Sequence, residues 1–290
     1  MAYSTISHVG LLLIGVAAKT PDALAGTAYS LAGHAGVKGA LFLAAGALLN
    51  RHETVDEHDL RGRGRGMPVA NATFLLGALI LAGLPPSGLW AMHAITEHAA
   101  GRLGWWWFTP VAVTASALTA SAVLRVWLRV FRDAPAGDGR THDHEDPETR
   151  TPLRSLPWTM SAPGAVLLAA ALVLGLLPGG PIAQASAVFT DQAGYAALVL
   201  DGQVAHPHAT PADPWTLSGL LGPLLSLVLA VLIAVHAVRR PTSGTRPHPV
   251  RRAADAAAGR LHALHSGHIG DYAAWLTAGV AVLALLTAGP

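Results

Sequence analysis

Long apolar stretches dominate the sequence, and they limit what the chain can fold into. A helix needs about 20 predominantly apolar residues to cross a lipid bilayer. Stretches that approach this length lie at about 4–18, 23–49, 68–84, 88–101, 105–131, 162–178, 216–238 and 272–288. Only 12% of the residues are charged, whereas about 25% is typical of soluble domains. The sequence therefore predicts an all-α fold, a polytopic transmembrane helix bundle of about eight spans.

Polar loops divide this predicted bundle into portions. Residues 1–132 form a first helical portion, residues 133–161 a polar loop, and residues 162–290 a second set of helices with amphipathic surface segments. Within the second set, 181–200 contains several polar residues. We interpret this segment as lying on the membrane surface or re-entering the bilayer, not as a span.

The distribution of Lys and Arg predicts the orientation. If 181–200 does not cross, the side that holds loops 132–161 and 239–271 carries more of these residues than the other side. Cytoplasmic loops are normally enriched in Lys and Arg. We therefore expect both loops to be cytoplasmic, in a bacterial cytoplasmic membrane, and loop 50–66 to lie on the opposite side.

The composition also excludes several classes of protein. The chain has no Cys, so it cannot hold a disulfide, an iron–sulfur cluster or a Cys-ligated zinc. Its net charge is +2, which gives no reason to expect a nucleic-acid partner. Motifs for phosphate loops, nucleophile elbows and zinc proteases are missing. We expect no cofactor, no metal and no enzyme active site, with the lipid bilayer as the surrounding medium.

Two His-containing clusters leave a metal site as an open alternative. The tract from His142 to Asp146 contains His, Asp and Glu, and could bind a divalent metal, although a solvated loop is the favoured interpretation. His262, His265 and His268 are spaced by three residues. A surface helix at the membrane is favoured over a metal site there.

The second predicted span carries ionisable residues in its middle. His34 and Lys38 are four residues apart and so lie on one face of a helix. Ser30 extends this row by one turn, with Thr27 close to it. Intramembrane ionisable residues are rare and usually functional. The sequence therefore predicts a polar stripe inside an otherwise apolar helix.

Lys38 is suited to proton transfer because of its residue type. The chain has only two Lys among its 19 basic Lys and Arg residues. A buried Lys can release its proton, whereas Arg remains protonated in proteins. The alternative interpretations are that Lys38 extends to the membrane interface and that His34 is a core histidine bonded to a carbonyl. Lys38 lies too deep in the span for easy extension to the interface.

Two further features lie beyond this span in the sequence. Pro85 and Pro86 must interrupt a helix, and we interpret them as a tight turn between two spans, with His93 in the next helix. Arg125 and Arg129 lie one turn apart near the end of the fifth span. We interpret them as interfacial anchors on the cytoplasmic side.

Several motifs resemble one known family. They are AYSTISHVGLLLIG, AYSLAGHAGVKGALFLAAGALL, AGLPPSGLW and TASALTASAVLRVWLRVF, with a looser likeness in the C-terminal RLHALHSGHIGDYAAWLTAGVAVLAL. They are similar to motifs of the antiporter-like, proton-translocating membrane subunits of respiratory complex I (NADH–quinone oxidoreductase). The related Mrp-type cation/proton antiporters and membrane-bound hydrogenases share them.

The resemblance implies a fold and a set of site residues. Such subunits contain two inverted repeats, each with a broken helix. The family's central Lys matches Lys38, the His one turn before it matches His34, and a further His falls on Ser30. A Lys or Glu usual after the Pro-Pro turn falls on Met92, next to His93. The resemblance further implies the C-terminal half only of such a subunit: half a transporter, a gene fragment or a sequence begun at an internal start.

These observations lead to a functional hypothesis. The chain is predicted to translocate protons, or to exchange a cation for protons, as one membrane subunit of a complex I-like, hydrogenase-like or Mrp-like assembly. It would hold no redox centre of its own. The relay would consist of Lys38, His34, Ser30, Thr27 and His93. The alternative is a non-conducting structural or assembly subunit, or a truncated fragment of such a transporter.

Overall fold

A computed structural model describes residues 2–133, 158–176, 191–200 and 214–239, with a few isolated helical positions between 256 and 281. The chain divides into two compact units, Met1–Arg240 and Pro241–Pro290. The helices described below all belong to the first unit. The predicted span at 272–288 and the loop at 239–271 lie almost entirely outside the described residues.

Helices make up nearly all of the described part of the first unit. The α-helices are α1 (Ala2–Ala17), α2 (Pro21–His52), α3 (Pro68–Leu81), α4 (Gly88–Arg102), α5 (Phe108–Trp127), α6 (Trp158–Val173), α7 (Gln192–Leu200) and α8 (Leu217–Arg239). Short helical turns lie at Arg63–Gly66 and Leu174–Leu176, and α5 continues as a π-helical turn at Leu128–Arg132. No β-strand occurs in the described ranges, in agreement with the predicted all-α class.

The longest helix, α2, organises the unit and has clear start and stop signals. The Thr20 side chain accepts a hydrogen bond from the backbone N–H of Ala23 at 3.2 Å, and Pro21 occupies the first turn, as is typical of helix starts. The helix ends where Glu53 adopts φ 57° and donates its N–H to the carbonyl of Leu49 at 2.7 Å. Helices α1, α3, α4 and α6 all pack against α2.

Glycines allow these helices to approach α2 closely. A Cβ atom on Gly33 would lie 2.9 Å from Leu89 Cδ1 and 3.2 Å from Gly88 Cα of α4. A Cβ atom on Gly36 would lie 2.9 Å from the carbonyl oxygen of Leu167 in α6. Small residues at such contacts are typical of helix packing in membranes, where backbones must meet for van der Waals contact.

Helices α3 and α4 lie one after the other along α2, not side by side. Gly77 of α3 contacts Leu41, whereas Leu89 near the start of α4 contacts Gly33. Further along α4, Ala99 packs with Ala23 near the start of α2. The two helices therefore continue in one direction, antiparallel to α2.

This arrangement corrects one prediction. The local sequence predicts that residues 68–84 and 88–101 are two spans joined by a turn. They are instead two halves of one interrupted helix, with 14 residues in α3 and 15 residues in α4. Each half is about 21–23 Å long, which is less than the bilayer core of about 30 Å. The break itself contains the cis Pro85–Pro86 peptide bond and Gly83 with φ 94°.

The location of loop 50–66 is also corrected, because the loop lies at the same end of the unit as the end of α5. Gly62 donates its N–H to the carbonyl of Arg129 at 2.9 Å, and Arg61 Nε donates to Asp133 at 2.7 Å. The predicted opposite location depends on α3 and α4 being separate spans. The basic residues of loop 50–66 therefore lie at the same end of the unit as those at the end of α5.

Three described helices have the length and apolar composition to cross a membrane: Pro21–His52, Phe108–Arg132 and Leu217–Arg239. Shorter apolar helices occur at Ser4–Ala17, Pro68–Leu81 and Ser161–Leu176. The predicted surface segment at 181–200 includes α7, whose nine residues are too few to span a membrane. Residues 181–190 of that segment lie outside the described residues. The total number of spans stays a prediction.

Candidate functional site

Lys38 lies inside the unit, where α1 crosses the middle of α2. Its side chain is buried, with a residue exposure of 6%. The ammonium group donates a hydrogen bond to the hydroxyl of Ser4 in α1. Lys38 is therefore buried inside the unit and held there by a neighbouring helix.

Two histidines stack beside this contact. The rings of His8 in α1 and His34 in α2 have centroids 4.5 Å apart and planes inclined by 31°. His8 Nδ1–H donates to the backbone carbonyl of Ser4 at 2.9 Å, since a carbonyl can only accept. We call Ser4, His8, His34 and Lys38 the Lys–His cluster.

Several polar atoms of this region are buried without a hydrogen-bond partner in the described part of the chain. They are Nε2 of His8, both ring nitrogens of His34 and the hydroxyl of Ser30. Buried polar atoms are normally paired with protein groups or water. These atoms can therefore bind water or exchange a proton at the α1–α2 interface.

The other predicted relay residues occupy different positions. Ser30 lies one turn before His34 on the same face of α2. Thr27 donates its hydroxyl to the carbonyl of Ala23 at 2.8 Å, so its proton is used within its own helix, and it packs against Gly15 of α1. The row therefore continues towards the start of α2, with Thr27 at its end.

His93 lies on α4, just beyond the break, and is fully enclosed. Its Nε2 is 2.9 Å from the Ser116 hydroxyl of α5. His8 interacts electrostatically with His93 as well as with His34 and Lys38. His8 thus stands between the predicted residues of α2 and the predicted residue of α4.

A cavity reaches the Lys–His cluster from the end of α5. It has a volume of about 420 Å³ and is lined by Ser4 and Ser7 of α1 and by Thr119 and Arg125 of α5, among apolar side chains. Because Ser4 accepts the hydrogen bond from Lys38, this cavity ends next to the buried amine. It offers space for water between Lys38 and the end of the unit that carries loop 50–66.

A second charged group lies at that end of the unit. Glu57 of loop 50–66 pairs with Arg129, and its other oxygen lies 3.3 Å from Arg125 Nη2. We call these three residues the ion-pair cluster. The sequence predicts Arg125 and Arg129 to be interfacial anchors; the structure shows that they also fasten loop 50–66 to α5.

Sequence reasoning missed Ser4, His8 and Ser116. The first two carry a recognisable signal, because Ser4 and His8 are four residues apart, the same spacing as Ser30, His34 and Lys38. Two such rows on helices joined by a short turn can face each other. Ser116 has no comparable signal, since its role depends on which helix lies next to α4.

The structure brings together no group of three or more potential metal ligands among its described residues. The tract from His142 to Asp146 and the residues His262, His265 and His268 lie outside those residues. A metal site at either place therefore stays an open alternative.

Comparisons with known proteins relate part of the chain to one family. Residues 1–119 match the family described as NADH:quinone oxidoreductase/Mrp antiporter, transmembrane. Through this segment the chain is similar to that family. The matched residues include the whole Lys–His cluster, His93 and Ser116. Together with the apolar helices, this similarity supports an integral membrane protein.

Relatives with known names are subunits of larger systems. The chain is 31% identical over 175 residues to a Na(+)/H(+) antiporter subunit of Bacillus subtilis, covering 60% of this chain and 33% of that protein. It is 32% identical over 178 residues to a NADH-quinone oxidoreductase subunit of Desulforudis audaxviator, covering 61% and 35%. It is 31% identical over 164 residues to an F(420)H(2) dehydrogenase subunit of Methanosarcina mazei, covering 52% and 24%.

The first two relatives are much longer than this chain. The chain spans about a third of their length, 33% and 35%.

Proposed function

We propose that this chain carries protons through part of the membrane as one subunit of a multi-subunit proton pump or cation/proton antiporter. The observation that carries the proposal is the Lys–His cluster, in which a buried Lys38 donates to Ser4 beside the stacked rings of His8 and His34. The similarity of residues 1–119 to the NADH:quinone oxidoreductase/Mrp antiporter family supports it.

The chemistry of the cluster suits reversible proton transfer. Lys38 can lose its proton in a low-dielectric interior, whereas an Arg at that position could not. His8 and His34 have ring nitrogens that can accept and release a proton, and those without a hydrogen-bond partner in the described part of the chain can bind water. Ser30 extends the row of polar side chains along α2, and Thr27 lies at the end of that row. His93 on α4 receives protons from the cluster.

The driving force must come from partners. The chain holds no redox motif, so quinone reduction or a cation gradient elsewhere in the assembly would change the charge near Lys38. Partners would be further membrane subunits of a complex I-like, hydrogenase-like or Mrp-like assembly. We place the chain in the bacterial cytoplasmic membrane with loops 132–161 and 239–271 on the cytoplasmic side, now joined there by loop 50–66.

Proton uptake into inverted membrane vesicles tests the proposal. The full chain is expressed with the remaining subunits of its assembly, and uptake is followed with a pH-sensitive dye. Lys38→Ala should reduce uptake by about 100-fold or more, the lower range of what a positioned acid–base group contributes. Lys19→Ala is the matched control, because Lys19 is the chain's other Lys and is exposed in the turn between α1 and α2.

Both variants are checked for assembly in the membrane before uptake is compared. If Lys38→Ala alone abolishes uptake, the proton-carrier role stands. If Lys38→Ala conducts like wild type, or wild type does not conduct, the chain is better described as a non-conducting structural subunit or a truncated fragment.

A further inference from the structure

A groove separates α4 from the start of α8, and it lies apart from the Lys–His cluster. Its volume is about 510 Å³. The polar side chains that line it come from α4, α5 and the start of α8: Glu97, His98, Arg102, Thr109, Thr216 and Ser218. The groove therefore combines a carboxylate with hydroxyl groups in a space large enough for several water molecules.

Glu97 is the carboxylate of this groove, and one of its oxygens is buried. Glu97 Oε1 has no hydrogen-bond partner in the described part of the chain. The carboxylate lies against α8 at Gly222, where a Cβ atom would be only 2.9 Å from Oε1 and 3.2 Å from Oε2. Gly222 thus leaves room for the acidic group between the two helices.

Glu97 also stands next to the buried relay. It follows His93 by four residues on α4, so both side chains lie on the same face of that helix, one turn apart. His93 is enclosed and bonded to Ser116, whereas Glu97 reaches the groove. The antiparallel register of α4 along α2 places Glu97 on the side of His93 that is away from loop 50–66.

We propose that Glu97 exchanges protons between His93 and water in the groove between α4 and α8. The carboxylate accepts a proton from the protonated His93 ring (imidazolium), so that a carboxyl O–H bond forms as the imidazolium N–H bond breaks and leaves neutral imidazole. The carboxyl O–H bond then breaks as a water molecule takes the proton, which restores the carboxylate. This inference rests on the proposed function. It assigns the second opening of the pathway, opposite the cavity that reaches Ser4.

Glu97 is not a position that the family resemblance supplies. The Lys or Glu usual after the Pro-Pro turn falls on Met92, five residues earlier. Met92 is buried and cannot carry a proton. The acid–base group on this helix is therefore displaced by more than one turn towards the groove.

Uptake by inverted vesicles of the complete assembly tests the role of Glu97. Glu97→Gln should reduce proton uptake by about 100-fold, and Glu97→Asp should retain part of it. Glu53→Gln is the matched control, because Glu53 is exposed at the end of α2 and should leave uptake unchanged.

Thiol labelling tests the groove independently of uptake. Because the natural chain has no Cys, a single introduced thiol is the chain's only target for a water-soluble maleimide. Ser218→Cys lies in the groove and should react from one side of the membrane. Leu225→Cys lies on the exposed apolar face of the same helix and should stay unlabelled in lipid.

The outcomes separate this inference from the function on which it rests. Uptake lost in both Lys38→Ala and Glu97→Gln, with Ser218→Cys labelled, supports both. Uptake lost in Lys38→Ala but unchanged in Glu97→Gln overturns the role of Glu97 and leaves the proposed function intact. An unreactive Ser218→Cys overturns the water-filled groove. Absence of uptake in wild type overturns the proposed function and this inference with it.

Discussion

The Lys–His cluster and the ion-pair cluster both contain basic side chains, but the hydrogen-bond partners of those side chains differ. In the interior, Lys38 donates to the neutral hydroxyl of Ser4. At the end of the unit, Arg129 and Arg125 contact the carboxylate of Glu57. One cluster joins α1 to α2 at depth, whereas the other fastens a loop to α5.

This difference separates a group that can change its charge from groups that cannot. An Arg guanidinium remains protonated in proteins, and its fork-shaped donors match a carboxylate. A buried Lys can be neutral or charged, and a hydroxyl can accept from the charged form and donate to the neutral form. The unit therefore has Arg at the fixed connection between loop 50–66 and α5, and Lys at the position where the proposed function requires a proton to move.

Exchanging the two basic residue types is the strongest test of whether Lys38 must be able to release a proton. Lys38→Arg keeps the positive charge and a hydrogen-bond donor but cannot release a proton. We expect proton uptake to fall by about 100-fold, as far as in Lys38→Ala, because the charge alone does not suffice. The measurement is dye-monitored uptake in inverted vesicles at equal amounts of assembled protein.

The reverse exchange, Arg129→Lys, is the control. It keeps a charge opposite Glu57 and should leave uptake within about twofold of wild type. If Lys38→Arg conducts normally, Lys38 acts as a fixed charge, and the distinction between the two clusters is lost.

Ser4 offers a smaller and more specific change. Ser4→Ala removes the hydroxyl that accepts from Lys38 while leaving the amine in place. A hydrogen bond to a charged group is worth about 1.5–3 kcal/mol, so uptake should fall at least about tenfold, the lower end of that range. Ser4→Thr restores a hydroxyl and should recover most of the rate, whereas equal rates for Ser4→Ala and wild type would remove Ser4 from the pathway.

The comparison also shows how far the sequence could predict the site. Lys38 and His34 were predictable because their four-residue spacing and apolar surroundings are visible in a single helix. Ser4 and His8 carry the same spacing, but their part in the site depends on α1 packing antiparallel against α2. A pattern within one helix indicates a face, and it does not indicate which face of another helix lies opposite.

The interruption between α3 and α4 was missed for a related reason. Pro85 and Pro86 require the helix to stop, but two separate spans and one broken span begin with the same stop. Their local sequence favoured a turn between spans, whereas the family resemblance implied a broken helix. The packing along α2 favours the broken helix. Gly77 contacts Leu41, and Leu89 contacts Gly33, so the chain continues in the same direction after the break.

The ion-pair cluster should affect stability far more than transport. Glu57→Gln leaves Arg125 and Arg129 as neighbouring positive charges without their carboxylate. Side-chain exposures of 19% for Glu57 and 21% for Arg129 place this pair between an exposed and a buried ion pair. We expect the free energy of unfolding to fall by about 1–3 kcal/mol, measured by titration with a denaturing detergent in micelles. Uptake per folded molecule should stay within about twofold of wild type.

A Glu57→Gln protein that unfolds like wild type but no longer conducts would instead make the ion-pair cluster part of the entrance to the cavity at Ser4.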